Sequence, residues 1–534
     1  MVKPALEIRL PSTVWLLLAL GAAVVAMVQV RCTIIMPDTA RLSFDSAEYA
    51  LAGRAWLETG RLVTPFVHPA ALGSSPGPPY PLLVGHPLVP ALDALAFAFA
   101  GPDAGSTVWP AVLAFVITVL LTSRLALALT GSRAGAIAAG AAFAVSPWAL
   151  RYAGEGLSEM PFAAAWTGAL LLLLELPRRP RPVLMGVLLG LAHLARPVAV
   201  PLLPAFVLGM LLSLPAREWL RSLALAVAGF APFALLIFVY KWSATGMPFA
   251  DGGSYLLLTG VDPAHVVARM NRMAPPPDAL AWIRDHPLEW LSKVARGIRS
   301  IAYTASGLAG RLMVAAACLT AAVVMLRGER RARAFVLTVG LSAAMLLLLS
   351  AATVADARML FPLLPPAIAL AFAGLVRVAE GLGRGRRAVV HAAVALAALS
   401  SAIPTAIAWR HALTNPAPAR GAFREREWRG IGLGVRPMLP ANVLVASDAA
   451  PWIAWFVRTP VTLVPLEPGA LDDGPERLRP GAVVLTNEWL VRQPGEQAWR
   501  AMLEQRTPPP GFVFSGHVRS GRLEAVVFTR TAAP

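Results

Sequence analysis

Four short stretches hold the residue types that catalysis needs. In "SFDSAEYALAGRAWLETG", residues 43–60, Asp45 and Glu48 stand three apart with Tyr49 alongside. On a helix that spacing puts both carboxylates on one face. In "SPWALRYAGEGLSEMPFAAAW", Arg151, Glu155 and Glu159 recur at intervals of four and form one stripe if helical. Arg196, in "LLGLAHLARPVAV", has no acid near it in sequence, whereas Asp356 and Arg358 together open the apolar run of "VADARMLFPLLPP". Carboxylates of this kind can take a proton from a hydroxyl or hold a divalent cation, and a guanidinium fork suits a phosphate. Each stretch also has a plainer reading. Ser43 or Asp45 can cap a helix, Arg151–Glu155 and Asp356–Arg358 can be local end pairs, and Arg196 can snorkel to water.

The elements that must position these residues are membrane spans. The chain has 534 residues, 57% of them hydrophobic and only 14% charged. That composition indicates a polytopic α-helical membrane protein. The net charge of +17 is spread in short clusters between apolar runs, so it reads as membrane topology and not as a nucleic-acid surface. Cys32 and Cys318 lie inside apolar runs and carry no redox message. Apolar runs lie near 14–36, 108–124, 133–149, 161–176, 183–195, 197–214, 219–242, 308–326, 334–354, 359–376 and 388–409. They give about eleven spans, some of them short for a full crossing. The first reads as an uncleaved signal-anchor.

Charge sets the orientation. With residues 79–101 left out as a span, the clusters around Arg124 and Arg133, Arg178–Arg181, Arg327–Arg333 and Arg377–Arg387 fall on the cytoplasmic side. Arg151, Arg196 and Arg358 then fall outside, with all four stretches. Counting 79–101 as a span would invert every later loop. Its prolines, with His86 and Asp93, suit a pair of short interfacial or re-entrant helices in a first outer loop over 37–107. Residues 46–59 are expected to lie flat as an amphipathic helix in that loop. A second outer loop, 243–307, holds an amphipathic helix near 279–299 with Trp282 and Trp290 as interface anchors. From about residue 413 the pattern shifts to β-rich apolar runs such as "NVLVASDAAPWIAWFV" and "GAVVLTNEWLV". The expectation is a transmembrane domain over 1–412 and a small extracytoplasmic α/β domain over 413–534. Asp448, Asp472 and Asp473 read there as loop and turn acids.

One chemistry uses acids and arginines gathered at one membrane face. Sugar transfer from a polyprenyl phosphate needs a base for the acceptor hydroxyl and positive charge for the departing phosphate. The chain resembles the GT-C glycosyltransferases, close to the protein O-mannosyltransferases and the lipid A aminoarabinose transferase. The resemblance runs over roughly the first 380 residues through "DSAEYALAGRAWLETG", "PGPPYPLL", "SPWALRYAGEGLSEMP", "GLAHLARP" and "RMLFPLLPP", in the family's order. It implies Asp45 as base or substrate-orienting group, Glu159 as the second active-site acid and Glu155 as the Glu four residues before it. It implies donor phosphate binding by Arg358 and Arg196, with Glu48, Tyr49 and His86 as further substrate-binding candidates. A Mg²⁺ or Mn²⁺ ion, if used, would sit on Asp45 and Glu159. The chain departs from the pattern in Ser46, where many relatives have a second acid, in "GSSPG" before the double proline, and in Met359 where an aromatic residue is common.

The implied activity is an inverting transfer from a lipid-phosphate sugar to an envelope lipid, glycan or protein, at the outer face of the cytoplasmic membrane. The Ala-, Arg- and Pro-rich composition points to a high-GC bacterial genome, hence to undecaprenyl or decaprenyl phosphate as the lipid. The other readings are a transporter or flippase and a non-catalytic envelope assembly protein. A transporter would place charge near the midplane of broken helices, whereas these spans are almost free of it apart from His193.

Overall fold

The computed structural model describes residues 10–33, 42–68, 77–82, 87–246, 253–258, 278–308, 311–380, 402–403, 405–407, 409–410, 414, 420–465, 467–472, 479–488 and 496–531. Five of its helices are long and apolar enough to cross a membrane: Ser12–Cys32, Ser106–Thr130, Ala216–Thr245, Arg330–Ala352 and Ala357–Ala379. Shorter apolar helices stand among them, including Pro182–Ala195 and Ala199–Ser213. The chain is a multi-pass membrane protein. Most of the expected span at 388–409 lies outside the described residues.

The elements run as follows. Helix α1 covers Ser12–Thr33 and α2 covers Phe44–Thr59. Three short strands follow, β1 at Val63–Thr64, β2 at Phe66–Val67 and β3 at Tyr80–Pro81, before α3 at Leu88–Ala100. The bundle continues with α4 (Trp109–Thr130), α5 (Arg133–Ala144), α6 (Pro147–Gly154), α7 (Glu159–Glu175), α8 (Pro182–Ala195), α9 (Ala199–Ser213) and α10 (Ala216–Thr245). Beyond it lie α11 (Gly253–Leu258), α12 (Ala279–Asp285), α13 (Pro287–Leu308), α14 (Arg311–Arg327), α15 (Arg330–Ala352) and α16 (Leu364–Glu380), the last preceded by a 3₁₀ segment, Ala357–Leu363. Toward the C-terminus come α17 (Arg420–Val435), β4 (Val445–Ser447), α18 (Ala450–Val457), β5 (Val461–Leu463), β6 (Ala482–Thr486), α19 (Glu496–Gln505), β7 (Phe512–Ser520) and β8 (Leu523–Arg530).

The bundle core is made of α4–α9, α15 and α16, with Phe115, Phe143, Phe162, Trp166, Phe206, Phe335 and Phe372 all fully buried. Its helices alternate in direction, and one end collects arginines. Arg124 pairs with Glu175 at 2.9 Å, Arg330 donates to the carbonyls of Leu212 and Leu214, and Arg377 donates to that of Leu129. Cations on the last carbonyls of α4 and α9 answer the negative end of each helix. The opposite end is where α7 and α16 begin and α8 finishes.

The two glycines of the α8–α10 crossing set how close those helices come. A Cβ on Gly186 would fall on the Ala226 carbonyl oxygen, and one on Gly229 on that of Val183. Backbone lies against backbone there, and the crossing fixes the end of α8, where Arg196 sits.

Three sequence expectations change. Residues 79–101 are not a pair of short helices: Tyr80–Pro81 is a strand paired antiparallel with β1, Val63 opposite Pro81, and among the described residues of this stretch only 88–100 is helical. Helix α2 is not amphipathic, because Ser46, Ala47, Glu48 and residues 50–54 are buried all round it. It is clasped between α3 and α18. The 279–299 helix breaks at His286–Pro287 into α12 and α13, with Asp278 capping the first through the amides of Leu280 and Ala281.

The larger sheet has the order β2-β5-β4-β6-β8-β7. Strands β2, β5, β4 and β6 are parallel, with Val445 beside Val461 and Ala482, and β8 and β7 are antiparallel additions. Strand β2 comes from the segment just after α2, with Phe66 beside Val461. This sheet therefore joins the two ends of the chain. Asp448 stands in the turn after β4, as expected, but not at the surface. It is buried and accepts bonds from the Thr486 amide at 2.9 Å and hydroxyl at 2.6 Å, and burial pushes its carboxyl up to about 7. Asp472 pairs with Arg530 at 2.7 Å, and Asp473 lies outside the described residues.

The crossing yields a test. Gly186→Val forces α8 from α10 and is expected to lower the thermal midpoint of the purified protein, by an overpacking cost of about 1–3 kcal/mol. Gly21→Val, at a glycine with open space around it, is expected to leave the midpoint unchanged. Equal midpoints for both variants would contradict the close crossing.

Candidate active site

The first acid is presented by helix α2. Its N-terminus is closed by a reciprocal pair: the Ser43 hydroxyl accepts from the Ser46 amide at 3.3 Å, and the Ser46 hydroxyl accepts from the Ser43 amide at 2.7 Å. Ser43 is therefore the cap. That leaves the Asp45 carboxylate in the first turn for other work, at a helix end that favours negative charge. Asp45 Oδ2 accepts from Arg358 Nη2 at 2.8 Å.

The second acid is presented by a turn. Helix α6 begins with Pro147 and ends at Gly154, and the Glu155 amide donates back to the Arg151 carbonyl. Gly156 follows with φ +65°, and a Cβ there would stand 2.7 Å from the Thr107 carbonyl oxygen. Only glycine meets both demands. The turn delivers Glu159 as the first residue of α7, with 2% of its side chain exposed. Glu159 Oε1 is in ion-pair contact with Arg196 Nη1 and lies 3.5 Å from Arg358 Nε.

The two arginines are held from below. Arg196 caps the C-terminal end of α8 in an extended conformation, and its Nη1 also donates to the Ser158 hydroxyl at 3.4 Å. That hydroxyl is 3.3 Å from the Tyr49 phenol, so Tyr49 of α2 joins the group. Burial, with Asp45 nearby, pushes the Tyr49 phenol well above its ordinary range. Arg358 stands in the 3₁₀ segment before α16, which Asp356 caps by accepting from the Arg358 amide at 2.9 Å. The Asp356 carboxylate also meets Arg358 Nε at 3.1 Å. Beneath this segment the Tyr152 ring stands edge-on to Phe361 at 4.7 Å.

The structure thus brings Asp45, Tyr49, Glu159, Arg196 and Arg358 into one connected group. Glu155 sits at its margin, paired with Arg151 at 3.1 Å, and burial raises its carboxyl above the usual range. Glu48 turns the other way, toward His68 Nε2 at 3.6 Å. His86 lies outside the described residues. Ser158 and Asp356 stand within the quoted stretches, but neither is marked as a site residue by the spacing of charges. A serine before an acid, or an acid two residues before an arginine, is too common to single out.

The arrangement gathers two guanidiniums around the Glu159 carboxylate, and one of them, Arg358, also pairs with the partly exposed Asp45. It does not fit a divalent cation on Asp45 and Glu159, because the Arg358 guanidinium already lies between them. Among the described residues no three His, Cys, Asp or Glu side chains converge as metal ligands.

Helix α2 is fixed from the sheet side. Arg54 donates to the carbonyls of Trp455 and Ala454 and lies 4.5 Å over the Trp455 ring. The Trp452 indole donates to the Leu42 carbonyl at 3.0 Å, just before the cap. Strand β2 adds the third attachment.

Residues 81–242 match the family model of dolichyl-phosphate-mannose-protein mannosyltransferase. No curated protein matches the chain in sequence. Among solved structures, ArnT from Cupriavidus metallidurans bound to undecaprenyl phosphate aligns at a TM-score of 0.53 and 12% identity, over 97% of this chain and 98% of that one. The Archaeoglobus fulgidus oligosaccharyltransferase, in complex with Zn and sulfate, aligns at 0.56 and 13% identity, over 88% of this chain and 68% of that one. At these identities the likeness is one of fold. The resemblance to GT-C glycosyltransferases seen in the sequence returns in the family match and in the fold.

The buried ion group makes its own prediction. Glu159→Gln leaves Arg196 and Arg358 facing each other with less counter-charge and should destabilise the protein by about 3 kcal/mol or more. Adding Arg196→Gln should restore part of that loss, read as thermal midpoints of the single and double variants. Strictly additive losses would show that the pair is not coupled.

Proposed function

We propose that this chain transfers a sugar from a polyprenyl-phosphate donor to an acceptor of the cell envelope, at the outer face of the cytoplasmic membrane. The observation that carries the reading is the meeting of Arg196 and Arg358 on Glu159, with Asp45 on the far side of Arg358. The ArnT structure that shares the fold holds undecaprenyl phosphate, which supports a lipid phosphate as the ligand of such a site. The arginine-rich end of the bundle would face the cytoplasm, so the acid-bearing end and residues 413–534 would be extracytoplasmic.

Each residue then has a task. Arg358, with Arg196, receives the donor phosphate, and Glu159 holds both guanidiniums in place between turnovers. As the phosphate engages Arg358, the Asp45 carboxylate is released to the acceptor hydroxyl. The hydroxyl oxygen attacks the anomeric carbon, its proton passes to Asp45, and the bond from that carbon to the phosphate oxygen breaks. The electron pair leaves with the polyprenyl phosphate, whose charge the arginines balance. A single displacement inverts the anomeric centre. Tyr49 and Ser158 brace Arg196, and Glu155 stands at the margin of the site.

The test needs no knowledge of the acceptor. Purified protein is incubated with a panel of polyprenyl-phosphate sugars, and release of polyprenyl phosphate is followed with and without envelope extract. One donor is expected to react, and Asp45→Asn to slow its release about a hundredfold or more. Release that is equally fast in Asp45→Asn would remove Asp45 as base. Failure of every donor to react or bind, with extract present, would overturn the transferase reading.

A further inference from the structure

A second place in the molecule has the make-up of a ligand site, and the transferase reading does not use it. A recess of about 230 Å³ opens on the C-terminal sheet, walled by Asn487, Arg500, Glu504, Arg506, His517 and Glu524. Leu503 and Val526 form its apolar floor. It lies between α19 and the strands β6, β8 and β7.

Its position follows from the antiparallel half of the sheet: Asn487 follows the carboxyl end of β6, Glu524 and Val526 lie on β8, and His517 stands opposite Val526 on β7.

The recess is built and not merely left over. Asn487 is locked to β8 by three hydrogen bonds: its amide donates to the Glu524 carbonyl, its Nδ2 to the Arg522 carbonyl, and its Oδ1 accepts from the Glu524 amide. Glu524 is paired with Arg519 at 3.4 Å, and His517 Nε2 lies 3.9 Å from its carboxylate. That His517 nitrogen is buried and makes no hydrogen bond. Arg500 and Arg506 have no ion pair or hydrogen bond among the described residues. Two uncommitted guanidiniums on one wall call for an anion. Glu504 and His517 beside them suit hydroxyl groups. The volume is below that of an ordinary drug-sized pocket and suits a single small polar unit.

We propose that this recess binds one acidic sugar unit, a monosaccharide carrying a carboxylate or a phosphate. Arg500 and Arg506 hold the anion, and Glu504, His517 and Asn487 meet the ring hydroxyls. The binding claim is independent of the transferase reading, and its readout is binding alone.

The purified full-length protein in detergent is titrated with glucuronic acid, glucose 1-phosphate, glucose and inorganic phosphate, followed by calorimetry. At least one acidic sugar is expected to bind, about tenfold or more tighter than glucose or inorganic phosphate. Which of the two binds assigns the anion to a carboxylate or a phosphate. The double variant Arg500→Ser/Arg506→Ser should lose that binding at an unchanged thermal midpoint, since both side chains are exposed. The double variant Arg500→Lys/Arg506→Lys should retain part of it. Four results would overturn the proposal: no binding by either acid, equal binding of glucose, inorganic phosphate binding as tightly as the sugars, or binding that survives the serine double variant.

Discussion

Burying the Glu159 carboxylate is the constraint on which the rest of the structure depends. An ion withdrawn from water costs several kcal/mol unless opposite charges meet it in good geometry. At membrane level the demand is stricter still. Glu159 is almost wholly enclosed and is met by two guanidiniums from different parts of the chain. Three separate devices make that meeting possible. The Gly156 turn sets the acid at the start of α7, and the Gly186–Gly229 crossing sets the end of α8 that bears Arg196. Asp356 folds the short segment that carries Arg358.

Asp45 belongs to the same balance from the outside. It is about one-third exposed and shares Arg358 with Glu159, so the guanidinium sits between a permanent partner and one that can be exchanged. Under the proposed transfer, an anion entering from the membrane would compete with Asp45 and not with the buried Glu159, so that binding and activation of the carboxylate would be one event. The C-terminal sheet takes part in this, because Trp452, Arg54 and strand β2 hold the helix that presents Asp45.

The main charges were legible in the sequence for a physical reason. Asp45, Glu159, Arg196 and Arg358 stand out because ionised groups beside apolar runs are costly and rarely accidental. Their partners were not legible. Nothing in the spacing tells that Arg196 meets Glu159, or that Arg358 reaches Asp45 across most of the bundle. Two-residue strands such as β2 and β3 leave no periodic signal, so the joining of residues 66–67 to the C-terminal sheet and the extended form of 80–81 were invisible. Helix α2 reads as surface-lying only if one face is assumed to meet lipid; the protein encloses both. That the turn acid Asp448 is buried was not legible, because its partner Thr486 lies on another strand.

The most direct measurement of the central claim is the affinity for polyprenyl phosphate itself, compared between the wild type and Asp45→Asn. If Asp45 and the phosphate compete for Arg358, the variant binds the lipid phosphate severalfold more tightly while it no longer turns over donor. Affinity that is unchanged or weaker in Asp45→Asn would mean that the phosphate does not displace Asp45 from Arg358, and would contradict the account.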